Sequence, residues 1–262
     1  MRGAISTSLA AVLALSLGGA ARGEEAAPAG AHEVDLPHQA WSWDGIFGTY
    51  DRAALQRGFQ VYQDVCSVCH GLDLLSYRNL AGIGFTGDQV KQIAASVQVI
   101  DGPNDEGEMF ERAGAPADKF KAPFPNSRAA RAVNNGALPP DLSLITKARL
   151  GDADYIHALL TGYGEPPADM TMFEGMSYNK YFLAGQFQIA MPPPLTDGVV
   201  TFADGTEATV DQMARDVATF LTWAAEPEME ARKRMGIKTI LFLIVLTGLL
   251  YAVKRRVWSN LH

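Results

Sequence analysis

The chain has 262 residues, 48% hydrophobic and 19% charged, with 29 acidic against 22 basic side chains and a formal net charge of −7. That length holds one sizeable domain or two small ones, and the acidic balance excludes a nucleic-acid partner read from a basic patch. With only two cysteines, Cys66 and Cys69, a stapled multi-disulfide scaffold is excluded too.

Met1-Arg2, an apolar run from Leu9 to Leu17 and the small residues Gly18 to Gly23 form the pattern of a secretory signal peptide over 1–23, cleaved near Gly23. The apolar run is too short to span a bilayer. The mature chain then begins near Glu24 with a loosely ordered stretch rich in Ala, Pro and Glu.

A helix is expected from Asp51 to Val65, capped by Asp51, with Leu55, Phe59 and Tyr62 at helical spacing. It runs into Cys66-Ser67-Val68-Cys69-His70. Cys-x-x-Cys-His is the pattern of c-type haem attachment. Two thiols so spaced reach the two vinyl groups of one porphyrin, and the following imidazole lies under the iron as its proximal ligand. A thioredoxin-like dithiol needs a βαβ unit, which is missing from the flanking pattern. A structural zinc site needs a second ligand pair, and a disulfide across two residues stabilises little. Covalent haem on Cys66 and Cys69, with His70 as ligand, is the reading kept.

Between 81 and 99 a short helix is expected, followed by an acidic loop from Asp101 to Glu111 and a proline-punctuated stretch from Ala115 to Asn126. Helices are expected over Ser127–Val133 and over Asp152–Thr161, the latter stopped by Gly162. From Gly164 to Leu195 the sequence is rich in Gly, Pro, Met and aromatics without periodicity and reads as ordered loop wrapped on a cofactor. An electron-transfer haem needs a second axial ligand. Met191, held extended by Pro192-Pro193-Pro194, is the strongest candidate, with Met170, Met172 and Met176 as rivals in the same region. His157, inside a short helix, reads as structural.

The stretch Val210 to Ala225 carries Met213, Val217, Phe220, Leu221 and Ala224 on one face and ends before Pro227. Gly58 on the first helix permits a close crossing with this aromatic-bearing one. Ile237 to Val253 is nearly continuous apolar sequence between Arg232-Lys233-Arg234 and Lys254-Arg255-Arg256. Seventeen helical residues span roughly 25 Å, and snorkelling by Lys238 and Lys254, with Trp258 at the interface, closes the gap to a core of roughly 30 Å. The expected organisation is a mainly α, class I cytochrome c-like haem domain over 24–230 with long loop insertions. One transmembrane anchor helix over 235–254 and a tail over 255–262 complete it. The signal peptide sends the haem domain outward and leaves the tail inside.

Arg57-Gly58-Phe59-Gln60-Val61-Tyr62, Tyr77-Arg78-Asn79-Leu80 and Asp101-Gly102-Pro103-Asn104 carry a further resemblance, as do Ala129 to Ser143, Leu159 to Tyr163, and Trp223 to Glu228 running into Arg232-Lys233-Arg234-Met235-Gly236. From about Trp41 onward the chain resembles the cytochrome c1 family, the haem subunit of bacterial ubiquinol:cytochrome c oxidoreductase (the bc1 complex). The resemblance implies one covalent haem c on Cys66 and Cys69, iron ligated by His70 and Met191, propionates met by Arg149 with Tyr155, and a haem edge lined by Asn134 and Pro139. It implies cytochrome b and a Rieske iron–sulfur protein as partner subunits, and a soluble cytochrome c as electron acceptor. It implies the bacterial inner membrane, with the haem domain in the periplasm and the C-terminus cytoplasmic. No catalytic residue of its own is expected, since the chemistry is one-electron transfer. Some relatives stiffen the ligand loop with an extra disulfide, and this chain has no cysteines for one, so Met191 is expected to be held by packing and prolines alone. The other readings are a stand-alone membrane-anchored shuttle and a five-coordinate haem peroxidase or sensor. The expected exported part, Glu24 to Ala225, has 26 acidic and 13 basic residues, a net −13, which suits electrostatic steering of a basic cytochrome c.

Overall fold

A computed structural model describes residues 35–259 of the chain. The expected signal peptide and its cleavage site lie outside the described residues. Helix α1 (Arg52–Asp64) begins where Asp51 Oδ1 accepts from the backbone N–H of Ala53 and Ala54 at 2.9 and 3.3 Å. Helix α5 (Val210–Ala225) begins where Thr209 Oγ1 accepts from Gln212 N–H at 3.1 Å. These two caps satisfy donors that helix starts leave orphaned.

The two helices cross at Gly58, where a Cβ would stand 2.0 Å from the Asp216 carbonyl oxygen and 2.8 Å from Phe220 Cβ. Only a residue without a side chain admits that approach. Around the crossing lies the core: Leu55, Phe59, Val61 and Tyr62 from α1 against Met213, Val217, Phe220, Leu221 and Trp223 from α5, all buried. Phe59, Tyr62, Phe120 and Phe220 meet edge-on or tilted with ring centroids between 5.7 and 6.2 Å, the arrangement aromatic quadrupoles favour.

Shorter elements fill the rest: α2 (Gly87–Ala95), α3 (Ser127–Val133) and α4 (Asp152–Thr161), with a 3-10 turn over Tyr77–Ile83. The expected acidic loop is a loop over 102–109, and it forms the tip of an antiparallel hairpin that the sequence did not signal. Strand β1 (Gln98–Asp101) pairs antiparallel with β2 (Phe110–Ala113), Gln98 opposite Ala113 and Asp101 opposite Phe110. Four-residue strands are too short to show alternation, so composition hid them. Within 164–195 the loop character holds apart from one small pairing, β3 (Ser177–Tyr178) with β4 (Gln188–Ile189).

Residues 35–50 strap across α4 and α5. Asp154 accepts from His38 Nδ1 at 2.7 Å, Gln39 N–H at 3.0 Å and Trp41 Nε1 at 2.7 Å, and Trp41 stacks on Trp43. The last helix, α6 (Met229–Trp258), is one uninterrupted element of 30 residues. It extends beyond the expected anchor at both ends, and its first residue, Met229, is buried in the core. Thirty residues rise about 45 Å, and the most apolar window of α6 has a mean hydropathy of 2.1 with none of it buried. The helix is long and apolar enough to cross a membrane.

Candidate functional site

The turn after α1 gathers three of the expected site residues. Cys66–Val68 is a single 3-10 turn, closed by Cys69 N–H on the Cys66 carbonyl at 3.1 Å and by His70 N–H on the same oxygen at 2.9 Å. Cys66 and Cys69 are free and partly exposed. Although the Cys66 residue is partly exposed, the protein packed around its sulfur keeps water from it, and this, with Cys69 beside it, pushes the thiol up to about 12. Tyr62 Oη, on the last full turn of α1, donates to the His70 carbonyl at 3.1 Å and fixes where the turn exits.

His70 is oriented from outside its own segment. Its Nδ1 lies 2.8 Å from the Pro140 carbonyl oxygen. A carbonyl only accepts, so Nδ1 carries the proton, and in the neutral ring Nε2 keeps a lone pair for a metal. Burial lowers the imidazole pKa, with the Pro140 bond and the Asp141 charge opposing, a direction that favours the neutral form a ligand needs.

The segment carrying Pro140 is clasped to the residues after His70. Asp141 accepts from Asp73 N–H at 2.7 Å and from Ser143 N–H at 2.9 Å, Ser143 Oγ accepts from Leu74 N–H at 3.1 Å, and Leu142 N–H donates to Gly71 carbonyl at 2.9 Å. Pro139, half-buried, therefore lies close to His70. Asn134 ends α3; its Nδ2 donates back to the Ala130 carbonyl at 2.8 Å. The following Asn135 has φ 50° and touches the methionine-rich lobe, since a Cβ on Gly175 would stand 2.8 Å from its Nδ2.

That lobe positions Met191. The β3–β4 pair ends two residues before it, and Tyr163 Oη, just past α4, donates to the Met191 carbonyl at 3.1 Å. Buried Asn179 binds the lobe to α4 by donating to the Leu159 carbonyl at 2.7 Å. Met191 is thus held by a tyrosine hydroxyl and a strand pair as well as by prolines, which corrects the expectation of packing and prolines alone. Among its rivals, Met176 is exposed, whereas Met170 and Met172 are half-buried. Arg149 and Tyr155 sit near each other at the start of α4, close enough that the guanidinium opposes the burial that raises the Tyr155 hydroxyl pKa. Among the described residues the Arg149 guanidinium makes no ion pair, and its one hydrogen bond goes to the Ala148 carbonyl, at 3.1 Å. His157 points elsewhere, with Nε2 2.9 Å from Asp211 Oδ1 at the start of α5.

Two thiols and an imidazole on one turn, a thioether on a braced loop and an unpaired guanidinium make a donor set that fits a c-type haem. The Asp141 clasp and the Tyr163 brace escaped the sequence reading. Asp141-Leu142-Ser143, a carboxylate two residues before a hydroxyl, was a legible signal for a turn held by side chains. A cavity of about 210 Å³ beneath Phe59, Tyr62, Tyr77 and Phe120 reaches Ser67 but neither His70 nor Met191.

The profile of the Cytochrome C1 family matches residues 41–261. The chain belongs to this family. It is 47% identical over 268 residues to cytochrome c1 of Rhodospirillum rubrum, covering 96% of both chains. With cytochrome c1-2, a mitochondrial haem protein of Solanum tuberosum, it shares 53% identity over 231 residues and 88% of each chain. With the cytochrome b/c1 of Bradyrhizobium diazoefficiens it shares 50% over 248 residues, 86% of this chain and 36% of the longer relative. As a member of the cytochrome C1 family, the chain is a c-type haem protein of electron transport with a mainly helical fold. Its apolar C-terminal helix fits membrane anchoring.

Proposed function

We propose that Cys66 and Cys69 hold the haem through thioether bonds, and that His70 Nε2 and the Met191 sulfur are the two axial ligands. Arg149 with Tyr155 meets the propionates, and Asn134 and Pro139 line the haem edge. The observation that carries this reading is the bond from His70 Nδ1 to the Pro140 carbonyl, which fixes both the tautomer and the ring orientation of the ligand. When bound, the haem supplies reversible one-electron iron chemistry. The chain's own residues do the tuning. The soft Met191 thioether favours ferrous iron and raises the potential, the Arg149 guanidinium offsets carboxylate charge, and Tyr163 keeps the Met191 segment in place. No residue is assigned as general base or nucleophile.

In this reading the chain is the haem subunit of a bc1 assembly with cytochrome b, whose name is joined to c1 in the Bradyrhizobium relative. It takes one electron from a Rieske iron–sulfur protein and hands it to a soluble cytochrome c. After removal of a signal peptide, its haem domain faces the periplasm of a bacterial cell membrane, α6 crosses once, and the C-terminus is cytoplasmic. The test of the ligand assignment is Met191→Leu beside Met172→Leu and Met176→Leu. Loss of the methionine–iron charge-transfer band and gain of carbon monoxide binding are expected in Met191→Leu alone. An unchanged band there, with loss in either other variant, moves the ligand.

A further inference from the structure

Residues 41–50 form a closed loop beside the first turns of α6. Thr49 N–H donates to the Ser42 carbonyl and Asp44 N–H to the Trp41 carbonyl, each at 3.1 Å. Gly48 is packed so tightly that a Cβ would stand 2.2 Å from the Asp44 carbonyl oxygen. At the tip of this braced loop two large apolar side chains face outward, Ile46 at 67% and Phe47 at 75% exposure.

The loop is fastened to α6 by a charge. Lys233 Nζ donates to the carbonyls of Trp43, Gly45 and Gly48 at 2.5, 2.7 and 3.2 Å, which uses all three of its donors. One turn earlier, Glu230 accepts from Tyr50 N–H at 2.9 Å and from Arg52 Nη2 at 2.8 Å. A groove lined by Ile46, Phe47, Arg234 and Ile237 joins the tip to α6. Ile237 is where the apolar run of α6 starts, so the exposed pair lies beside the beginning of that run.

We propose that Ile46 and Phe47 form a membrane foot. They enter the lipid–water boundary beside α6, while Lys233 fixes the foot to the helix and so sets the height and tilt of the haem domain above the bilayer. Lipid is the occupant that the position favours. An aromatic and an aliphatic side chain at the level where an apolar helix emerges, flanked by exposed Arg234, match the composition of the interfacial zone. The foot rests on the reading of α6 as a membrane anchor.

The test uses the full-length haem-loaded protein, one copy per phospholipid nanodisc, with single Cys replacements at Ile46, Phe47, Asp44, Thr49 and Leu243. Each is treated with a charged, membrane-impermeant maleimide and with a lipid-soluble one. The lipid boundary excludes a charged reagent, so positions 46 and 47 should react with it about tenfold more slowly than 44 and 49. The lipid-soluble reagent concentrates in that same zone, which offsets the smaller thiolate fraction of a lipid-buried thiol, so with it 46 and 47 should react about as fast as 44 and 49. Fast reaction of 46 and 47 with the charged reagent overturns the foot, and so does slow reaction with both, which means protein cover. Position 243 reports on the anchor by itself: a fast charged reaction there sinks the anchor reading, whatever 46 and 47 do. Lys233→Met should speed the charged reaction at 47 several-fold and leave 243 unchanged; an unaltered rate at 47 removes the lysine from the proposal.

Discussion

Arg57 grips the carboxylate of Asp216 with two hydrogen bonds, Nε to Oδ2 at 2.7 Å and Nη2 to Oδ1 at 3.0 Å, at the point where α1 crosses α5. The Asp216 side chain is 1% exposed. Its burial pushes the carboxyl pKa up, while Arg57 and Gln212 hold it down. Arg57→Met strands this acid among apolar neighbours and should cost about 3 kcal/mol, with the denaturant slope unchanged. The double variant Arg57→Met/Asp216→Leu should recover much of that, because removing both partners of a buried pair leaves no uncompensated charge. A double-mutant cycle reads the coupling, and strict additivity sinks it.

Gly58 sits on the same crossing. Gly58→Ala drives a methyl into the Asp216 carbonyl, and two packed helices cannot part without opening the core. The expected loss is about 3 kcal/mol. Gly87, the first residue of α2, has nothing within 4 Å of an added Cβ. Gly87→Ala should therefore stabilise by about 0.5 kcal/mol through the unfolded chain. Urea midpoints of the pair separate contact from propensity, and equal effects contradict the close crossing.

Asp141 is the side chain that keeps Pro140 over His70. Asp141→Ala removes two hydrogen bonds to a charged acceptor and should cost about 2 kcal/mol, discounted because the carboxylate is exposed. The loss should be accompanied by a change in the reduction potential, since the Pro140 carbonyl no longer orients the imidazole. A variant of lower stability and unaltered potential would make Asp141 a structural residue only.

What could be read from the sequence follows from the range of each interaction. The α1 and α5 helices, the Cys-x-x-Cys-His turn and the apolar run of α6 are local patterns of adjacent or helically spaced residues, and each stands where the pattern put it. Gly58 was legible because a lone glycine on an otherwise bulky helix face has few explanations. The Arg57–Asp216 pair, the Tyr163 brace on Met191 and the Asp154 strap on His38 and Trp41 join residues 28 to 159 positions apart. No single-sequence period encodes such partners. The helix α6 begins before the apolar run because Met229 to Gly236 is polar on its solvent side and carries no apolar signal, although Met229 itself belongs to the core.

The acidity of residues 24–225, a net −13, has a kinetic consequence in the proposed function. Asp105, Glu106, Glu108 and Glu111 are all exposed on and beside the β1–β2 hairpin. Electron transfer to a basic cytochrome c should slow by about one to two decades between low salt and roughly 0.3 M, as screening removes the steering. Stopped-flow rates check this, and a flat salt dependence leaves the charge as a solubility feature.

The same hairpin should melt in acid, and the cause is one arginine. Arg112 Nη1 and Nη2 reach the two oxygens of Asp118 at 2.6 and 2.9 Å, and its Nε bonds Asp101. Arg112, and after it the Ala115 N–H, holds the Asp118 carboxyl down from 3.8 to about 2; Asp101 is lowered by Arg112 first and by the Gly102 N–H second. A folded pKa below the unfolded one means that the charged form is favoured by folding. Its contribution is complete above the unfolded value and is lost as pH falls through the folded one. In the native chain, hydrogen-exchange protection of Gln98–Asp101 and Phe110–Ala113, corrected for intrinsic rates, should therefore hold above about pH 4 and fall between there and about pH 2. Arg112→Ala should start from lower protection at neutral pH and change little across that window, since the carboxylates have lost what favoured their charge. Arg112→Lys should fall between the two, because a point charge replaces the bidentate fork. Protection in the native chain that stays level down to pH 2, or a pH dependence that survives in Arg112→Ala, would show that the pairing with Arg112 does not set the acid limit of the hairpin.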